Sequence, residues 1–208
     1  MELLAGTKSW KSPDAMSLTE TELVQRAKSG DNKAFEQLML MNQGKIYNLG
    51  LKLLRNREDA ADLLQETFIK AYQNLGEFEG KSSFSTWIYR IATNFALMKL
   101  RQRKTRNVSL ETMADQARST YNREILDWSD NPQAHLKNQE LKMLLEAAIT
   151  SLPPKYKTVF ILHDIEGLPL ARVAEILSLS IPAVKTRIHR SRLYLREKLS
   201  RYFREREN

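Results

Sequence analysis

The chain has 208 residues, 33 Lys and Arg against 25 Asp and Glu, a net charge of +8 and no cysteine. That length allows one or two small domains, and the basic excess favours a polyanionic partner. The missing thiols exclude disulfides, thiol catalysis and cysteine zinc sites, and fit a reducing, cytoplasmic setting. With 42% hydrophobic residues real cores can form, but 7 Gly and 6 Pro are too few for many short strands joined by tight turns. No apolar run approaches the roughly 20 residues that span a bilayer. The N-terminus, MELLAGTKSWKSPDAMSLTE, lacks a long apolar stretch, so no signal peptide is expected.

Nearly every periodic segment has helix spacing, so the predicted fold class is all-α. Residues 1–16 show no pattern and read as a loose tail. Met16 stands just before a helix cap and is a candidate native start, a reading that the intact mass of the native protein would decide. Ser17 with Glu20 offers a capping box ahead of Leu23, Val24 and Ala27. Gly30 ends that helix and Asp31 caps the next. The second helix keeps Phe35, Leu38, Ile46, Leu49 and Leu53 on one stripe. The third, about 57–75, places Ala60, Leu64, Phe68, Ala71 and Leu75 inward, and shows Asp59, Asp62, Gln65 and Glu66 on its other side. Residues 76–84, GEFEGKSSF, form a loop. A fourth helix runs from about Ser83 to about Lys104, with Ile88, Ile91, Phe95 and Met98 inward, and ends in the basic string KLRQRKTR.

Residues 107–133 break the pattern. Five acids against two bases reverse the sign of the charge, to a local −3, and an Asn131-Pro132 step interrupts any helix. This reads as an acidic, flexible linker between two small helical domains, 17–106 and 134–208. Beyond it, Leu141, Leu144, Leu145, Ala148 and Leu152 space a helix that Pro153-Pro154 stops. KYKTVFILHDIEG gives a short helix closed by Gly167, and LARVAEIL another, with Leu170, Val173, Ala174 and Leu177 inward. SLS is a turn, Ser180 caps the last helix, and Pro182 falls in its first turn, where a missing N–H costs nothing.

In that last helix Val184, Ile188, Ser191, Leu195 and Leu199 form the inward stripe, while Lys185, Thr186, His189 and Arg190 point elsewhere. A short helix, a three-residue turn and a basic helix make the layout of a helix-turn-helix, whose second helix reads bases in the major groove. Lys and Arg suit phosphates or guanine edges, and Thr offers a hydroxyl and a methyl. The competing reading is a solvated or membrane-surface helix, but an inward stripe that includes Ser191 lacks the large apolars a membrane helix wants. The stretch 62–104, an acidic-faced helix, an aromatic and Ser-rich loop and an aromatic helix ending in bases, suggests single-strand binding. Aromatics stack on exposed bases and basic residues track phosphates. Phe84, Trp87 and Phe95 read as core; Phe78 in the loop and Asn94 on the polar side of the helix are harder to place there.

Two other function classes compete. A regulator that binds operators alone would need a dimer interface and a sensor domain, and neither is evident. An enzyme would need a site; His163-Asp164 resembles a metal dyad, but His135 and His189 lack ligand spacing to it, and no Gly-rich phosphate loop or nucleophile–base set appears. No enzymatic activity and no cofactor or metal are expected.

DLLQETFIKAY, FSTWIYRIATN and TVFILHDIEGLPLARVAEILSLSIPAVKTRIHRSR, in this order, closely resemble bacterial sigma factors of the sigma-70 family, in its small extracytoplasmic-function (ECF) group. The resemblance covers about residues 18–205. It implies a region-2 domain that binds the β′ clamp helices of core RNA polymerase and opens the −10 promoter element as single strand. It implies a region-4 domain that reads duplex −35 DNA, with the β flap as a further polymerase contact. On matching positions, Asp62, Gln65 and Glu66 are the polymerase contacts. Phe78, Lys81, Ser82 and Ser83 shape the −10 loop; Asn94 lines the pocket for an extruded base; Arg90, Lys99, Arg101 and their basic neighbours hold phosphates. Lys185, Thr186, His189 and Arg190 match the −35 reading positions, with Arg187 turned either there, to phosphate or to an acid within the domain. The acidic linker is similar to a segment that threads toward the polymerase active site, or is a solvated tether. Control by an anti-sigma factor is expected, at the inner membrane face if that factor is membrane-bound. Three departures stand out: Arg172 where the family has an acid, Ser178 where the turn usually carries Gly, and His189 where other members carry aromatics or bases.

Overall fold

A computed structural model describes residues 18–111 and 132–207, without side chains for 104–111, 132–140 and 201–207. The expected tail and most of the expected linker lie outside the described residues. The elements are α1 (Glu20–Lys28), α2 (Asn32–Leu54), α3 (Arg57–Gln73), a 3₁₀ turn (Leu75–Glu77), α4 (Phe84–Glu111), α5 (Pro132–Ser151), α6 (Pro154–Phe160) running into a π-turn (Ile161–Ile165), α7 (Leu170–Leu177) and α8 (Ile181–Glu207). Among the described residues there is no strand.

Local signals start the helices, though not always the expected ones. The capping box of α1 is Thr19 with Glu22: Glu22 N–H donates to Thr19 Oγ1 at 3.3 Å, and Thr19 N–H donates back to Glu22 Oε2 at 2.8 Å. Both Ser17 and Thr19 have a Glu three residues on, so the motif alone was ambiguous. Glu20, expected in the box, instead accepts the Phe84 N–H at 2.8 Å, at the start of α4. An acid there also suits the positive end of the helix dipole. Asp31 caps α2 through the N–H groups of Lys33 and Ala34, and Asn56 caps α3 through Asp59.

α1, α2, α3 and the first half of α4 enclose a core of Leu38, Ile46, Leu49, Leu53, Leu63 and Ile88. Gly50 lets α2 and α3 approach closely: a Cβ there would stand 2.9 Å from Leu63 Cδ2 and 3.1 Å from Ala60 Cα. Phe35, Tyr72, Phe78, Phe84 and Trp87 form an aromatic cluster at one end, with ring centroids 4.9–6.5 Å apart.

α4 does not bury the stripe expected of it. Met98 is 43% exposed, while Tyr89, Ala92, Thr93 and Ala96 are buried. The steps of three, four and three from Ile88 to Met98 drift round the helix, and by Met98 they have turned about 80° away. The buried face follows steps of four instead, because α2 and α3 pack on one side and α7 on another. α4 also continues to Glu111, into the span expected as linker.

In the second half, α5 and α6 pack on α8, and α7 crosses it. Leu141 and Leu145, expected inward on α5, are exposed, at 48% and 40%; Ile176, not expected inward, is buried. The turn between α7 and α8 puts Ser178 in the left-handed region, at φ 52°, where the family resemblance led to expect Gly. The two halves are docked. Ile161, Leu162, Val173 and Ile176 join the same buried cluster as the core of the first half.

Candidate nucleic-acid and polymerase interfaces

Three surfaces carry the residues singled out in the sequence. The first is the outer face of α3. Asp62 and Gln65 are exposed there and Glu66 is half-buried. Lys99 reaches across from α4, its Nζ 3.5 Å from Asp62 Oδ2 and 3.7 Å from Glu66 Oε1. Lys99 had been expected among the phosphate-holding bases of the −10 surface, and the structure places it on the acidic face instead. Along α4 it is turned about 160° from Ser83. Next to it Arg103 pairs with Asp59 and donates to the Leu54 carbonyl at 3.0 Å, so part of the basic string binds its own domain.

The second surface is the loop before α4 and the stripe that continues it. Phe78 is only 8% exposed and lies against Phe84 and Trp87, so its ring anchors the loop from inside and is not offered to a base. Its carbonyl accepts from Lys28 Nζ at 2.9 Å. Gly80 turns the chain at φ 72°, Lys81 is exposed and pairs with Glu79, and Ser82 Oγ donates to the Ser83 carbonyl at 3.3 Å. Ser83 Oγ accepts the Thr86 N–H at 3.1 Å and holds the first turn of α4. From there Ser83, Trp87, Arg90, Asn94 and Arg101 fall within roughly 60° of one another round the helix. Asn94 is exposed and makes no hydrogen bond to the described residues, so its amide has a donor and an acceptor to offer. Arg90 is not so placed: its Nη2 donates to the Glu175 carbonyl of α7 at 3.0 Å. Arg101 is exposed.

The third surface is the start of α8. Ser180 Oγ accepts the Ala183 N–H at 3.3 Å and caps the helix. Val184, Ile188, Ser191 and Leu195 are buried, so Lys185, Thr186, His189 and Arg190 face outward together, and Arg187 is half-buried beside them. Thr186 Oγ1 donates to the Pro182 carbonyl at 2.9 Å, and the same oxygen can still accept. Arg190 Nη1 donates to the Tyr156 hydroxyl at 3.4 Å, and that guanidinium, first among the causes, holds the Tyr156 phenol below its usual range.

His163 and Asp164 serve separate structural bonds: His163 Nδ1 lies 2.8 Å from the Leu168 carbonyl, which can only accept, and Asp164 pairs with Arg192. One more group escaped the sequence reading. Lys52 and Tyr89 of the first half both meet Glu166 of the second, the tyrosine hydroxyl at 3.4 Å. Arg172 Nη2 donates to Ser85 Oγ at 2.8 Å and lies over the Tyr89 ring. Lys157 Nζ donates to the Leu53 carbonyl at 3.0 Å. The only sequence signal was Arg172, which had stood out as a departure from the family pattern.

Residues 38–106 match the sequence profile of sigma-70 region 2, and residues 142–195 that of sigma-70 region 4. The ECF RNA polymerase sigma factor SigW of Bacillus subtilis is 35% identical over 185 residues, covering 88% of this chain and 98% of that protein. The chain belongs to the ECF group of RNA polymerase sigma factors. The ECF sigma-E factor of Haemophilus influenzae is 34% identical, over 89% of this chain and 97% of its own length. Two solved structures share the fold at 23% identity. CnrH, bound to the cytosolic domain of CnrY, has a TM-score of 0.58 over 86% of this chain and 95% of its own. The RpoE sigma factor of Bartonella quintana, bound to the anti-sigma factor NepR, has 0.59 over 81% and 98%. As a sigma factor the chain acts in transcription initiation, and no described helix is long and apolar enough to cross a membrane.

Proposed function

We propose that this sigma factor binds core RNA polymerase through the acidic face of α3 and reads promoters through the other two surfaces. Asp62, Gln65 and Glu66 present a negative face on a chain of net charge +8, which suits a basic protein surface such as the clamp helices rather than DNA. Lys99 belongs to this face as a brace between Asp62 and Glu66. The loop 78–83 and the α4 stripe take the −10 strand: Asn94 offers its amide to an extruded base, Lys81, Ser82 and Ser83 form the loop, Phe78 anchors it, Arg101 holds phosphate, and Arg90 does so once its bond to the Glu175 carbonyl opens. Lys185, Thr186, His189 and Arg190 read the −35 duplex from the major groove, with Arg187 toward the backbone.

The observation that carries this reading is the shared stripe of α4. It sets an outward Asn94, without a hydrogen-bond partner among the described residues, in line with the serine loop and on the side away from the Asp62–Glu66 face. The functional division runs 1–16 tail, 17–106 region 2, 107–133 acidic linker and 134–208 region 4. The role is binding and positioning, not catalysis, and it is exercised in the cytoplasm, where polymerase and chromosome are. Both compared folds were solved with a CnrY domain or an anti-sigma factor bound, which supports control of this chain by an anti-sigma protein, and a membrane-bound one would hold it at the inner membrane face.

Transcription in vitro with core polymerase, sheared genomic DNA and 5′-end sequencing tests the reading. Discrete starts, each preceded by a shared pair of motifs at fixed spacing, are expected. Core binding with no protein-dependent starts, on any template, overturns it.

A further inference from the structure

The outward face of α8 is not built by α8 alone. Round the helix Lys185, His189, Thr186 and Arg190 follow one another within about 140°, and Arg190 is the last of them, about 40° beyond Thr186. There α6, which lies outside the helix-turn-helix, packs along α8. From the first turn of α6, Tyr156 brings its hydroxyl to 3.4 Å from Arg190 Nη1, across 34 residues of chain. The tyrosine is held twice over. Its N–H donates to the Pro153 carbonyl at 2.9 Å, and its ring packs against Ala148, Leu152 and Leu195. Arg190 is exposed, and apart from the phenol it has no partner among the described residues.

The kind of partner matters. A guanidinium only donates, so the phenol oxygen accepts. A carboxylate in that place would hold Arg190 more tightly and would cancel its charge. A neutral hydroxyl steers the guanidinium and leaves it cationic, with the rest of its fork open to a base edge. Lys155 lies over the same ring, its Nζ 4.9 Å from the centroid, and brings no acceptor that could draw Arg190 away. The lowered pKa of Tyr156, caused first by the Arg190 hydrogen bond, fits an oxygen that accepts. A loose exposed arginine gives up its rotamer freedom when it binds a base; one already held gives up less.

We propose that Tyr156 is a positioning residue of the −35 surface, whose hydroxyl holds the Arg190 guanidinium at the edge of α8 and aims it at a base edge. This rests on the −35 reading of Arg190 given above; the hydrogen bond itself does not. Discrimination at one base pair is then set from α6, by a residue that touches no DNA, and the rigid ring of Tyr156 transmits the packing of the domain to the tip of a long side chain.

The test takes the full-length chain with core polymerase on fluorescent promoter duplexes from the mapped starts, with each −35 base pair replaced in turn. Arg190→Ala should weaken binding and lose discrimination at one base pair. Tyr156→Phe keeps the ring and removes the oxygen, so Tm should stay. It should weaken binding to the cognate duplex by about fivefold and cut discrimination at that same base pair. In the Arg190→Ala background it should do nothing further. A second measurement needs no DNA: in the free chain, nitrogen relaxation at Arg190 Nε should show an ordered side chain in wild type and a mobile one in Tyr156→Phe. An Arg190 equally mobile in both overturns the positioning. So does discrimination kept by Tyr156→Phe where Arg190→Ala loses it, whether or not affinity falls evenly on every duplex. If Tyr156→Phe frees the side chain but Arg190→Ala leaves every duplex bound as before, the −35 role of Arg190 fails, and the proposal with it, while the hydrogen bond stands.

Discussion

Lys157 and Leu53 lie 104 residues apart in the chain, yet the Lys157 ammonium donates to the Leu53 carbonyl at 3.0 Å in a buried contact. Burial, followed by the positive charges of Arg55 and Arg103, lowers the Lys157 pKa from 10.5 to about 8. The unfolded chain thus holds this proton through the window from about 8 to 10.5, while the folded chain gives it up. Where the unfolded state binds more protons, stability rises with pH. Lys157→Met should remove that rise. The difference in Tm between wild type and Lys157→Met, followed from pH 7.5 to 9.5, checks it, with the wild type gaining on the variant as pH increases.

Gly50 stands where α2 meets α3. Alanine is the better helix former by about 1 kcal/mol, but its Cβ would meet Leu63 Cδ2 at 2.9 Å and the backbone Cα of Ala60 at 3.1 Å. Leu63 can shift; Ala60 Cα moves only with its helix. Overpacking costs about 1–3 kcal/mol, so Gly50→Ala should destabilise slightly and Gly50→Val more, read by urea denaturation.

Ser178 holds φ 52° in the turn of the helix-turn-helix. A residue with a Cβ is strained there by roughly 1 kcal/mol, partly offset by the entropy that glycine loses on folding. Ser178→Gly should therefore stabilise by about 0.5 kcal/mol, and Ser178→Val should destabilise. Thermal unfolding of the two variants beside wild type gives the sign.

Phe78 and Asn94 separate scaffold from site. Phe78→Ala should cost about 3 kcal/mol or more of stability, because it empties a place between Phe84 and Trp87. Asn94→Ala should leave Tm and polymerase pull-down unchanged and slow promoter opening, followed by permanganate footprinting. Loss of polymerase binding in Asn94→Ala would assign that residue to the other face.

Lys185→Ala should weaken binding to a −35 duplex by about tenfold in a titration at fixed salt, with Tm unchanged. If its partner is a phosphate, the salt slope also falls by about one; if a guanine edge, discrimination at one base pair is lost.

Helix identity was legible at short range. Caps, apolar spacing and the Pro153-Pro154 break act within a few residues, and so all eight α-helices among the described residues answer to a periodic segment of the sequence. The buried stripe of α8 could be read because, although α5, α6 and α7 all meet it, its buried residues Val184, Ile188, Ser191 and Leu195 keep to steps of four and three along one side. That of α4 could not, because helices on two sides widen and rotate the buried face until Met98 is left outside.

The sequence by itself determined an all-α chain with a helix-turn-helix and an acidic helix face, and its motifs pointed to the family. Tertiary structure alone decided the partners of the charges. Lys99 was one cation in a basic string, and only the crossing of α3 and α4 sets it between Asp62 and Glu66. Arg90 looked like a phosphate ligand, and only docking gives it the Glu175 carbonyl, 85 residues away. The reason is physical. Helix formation follows from spacing along the chain, whereas a long charged side chain binds whatever complementary group the packing brings within its reach.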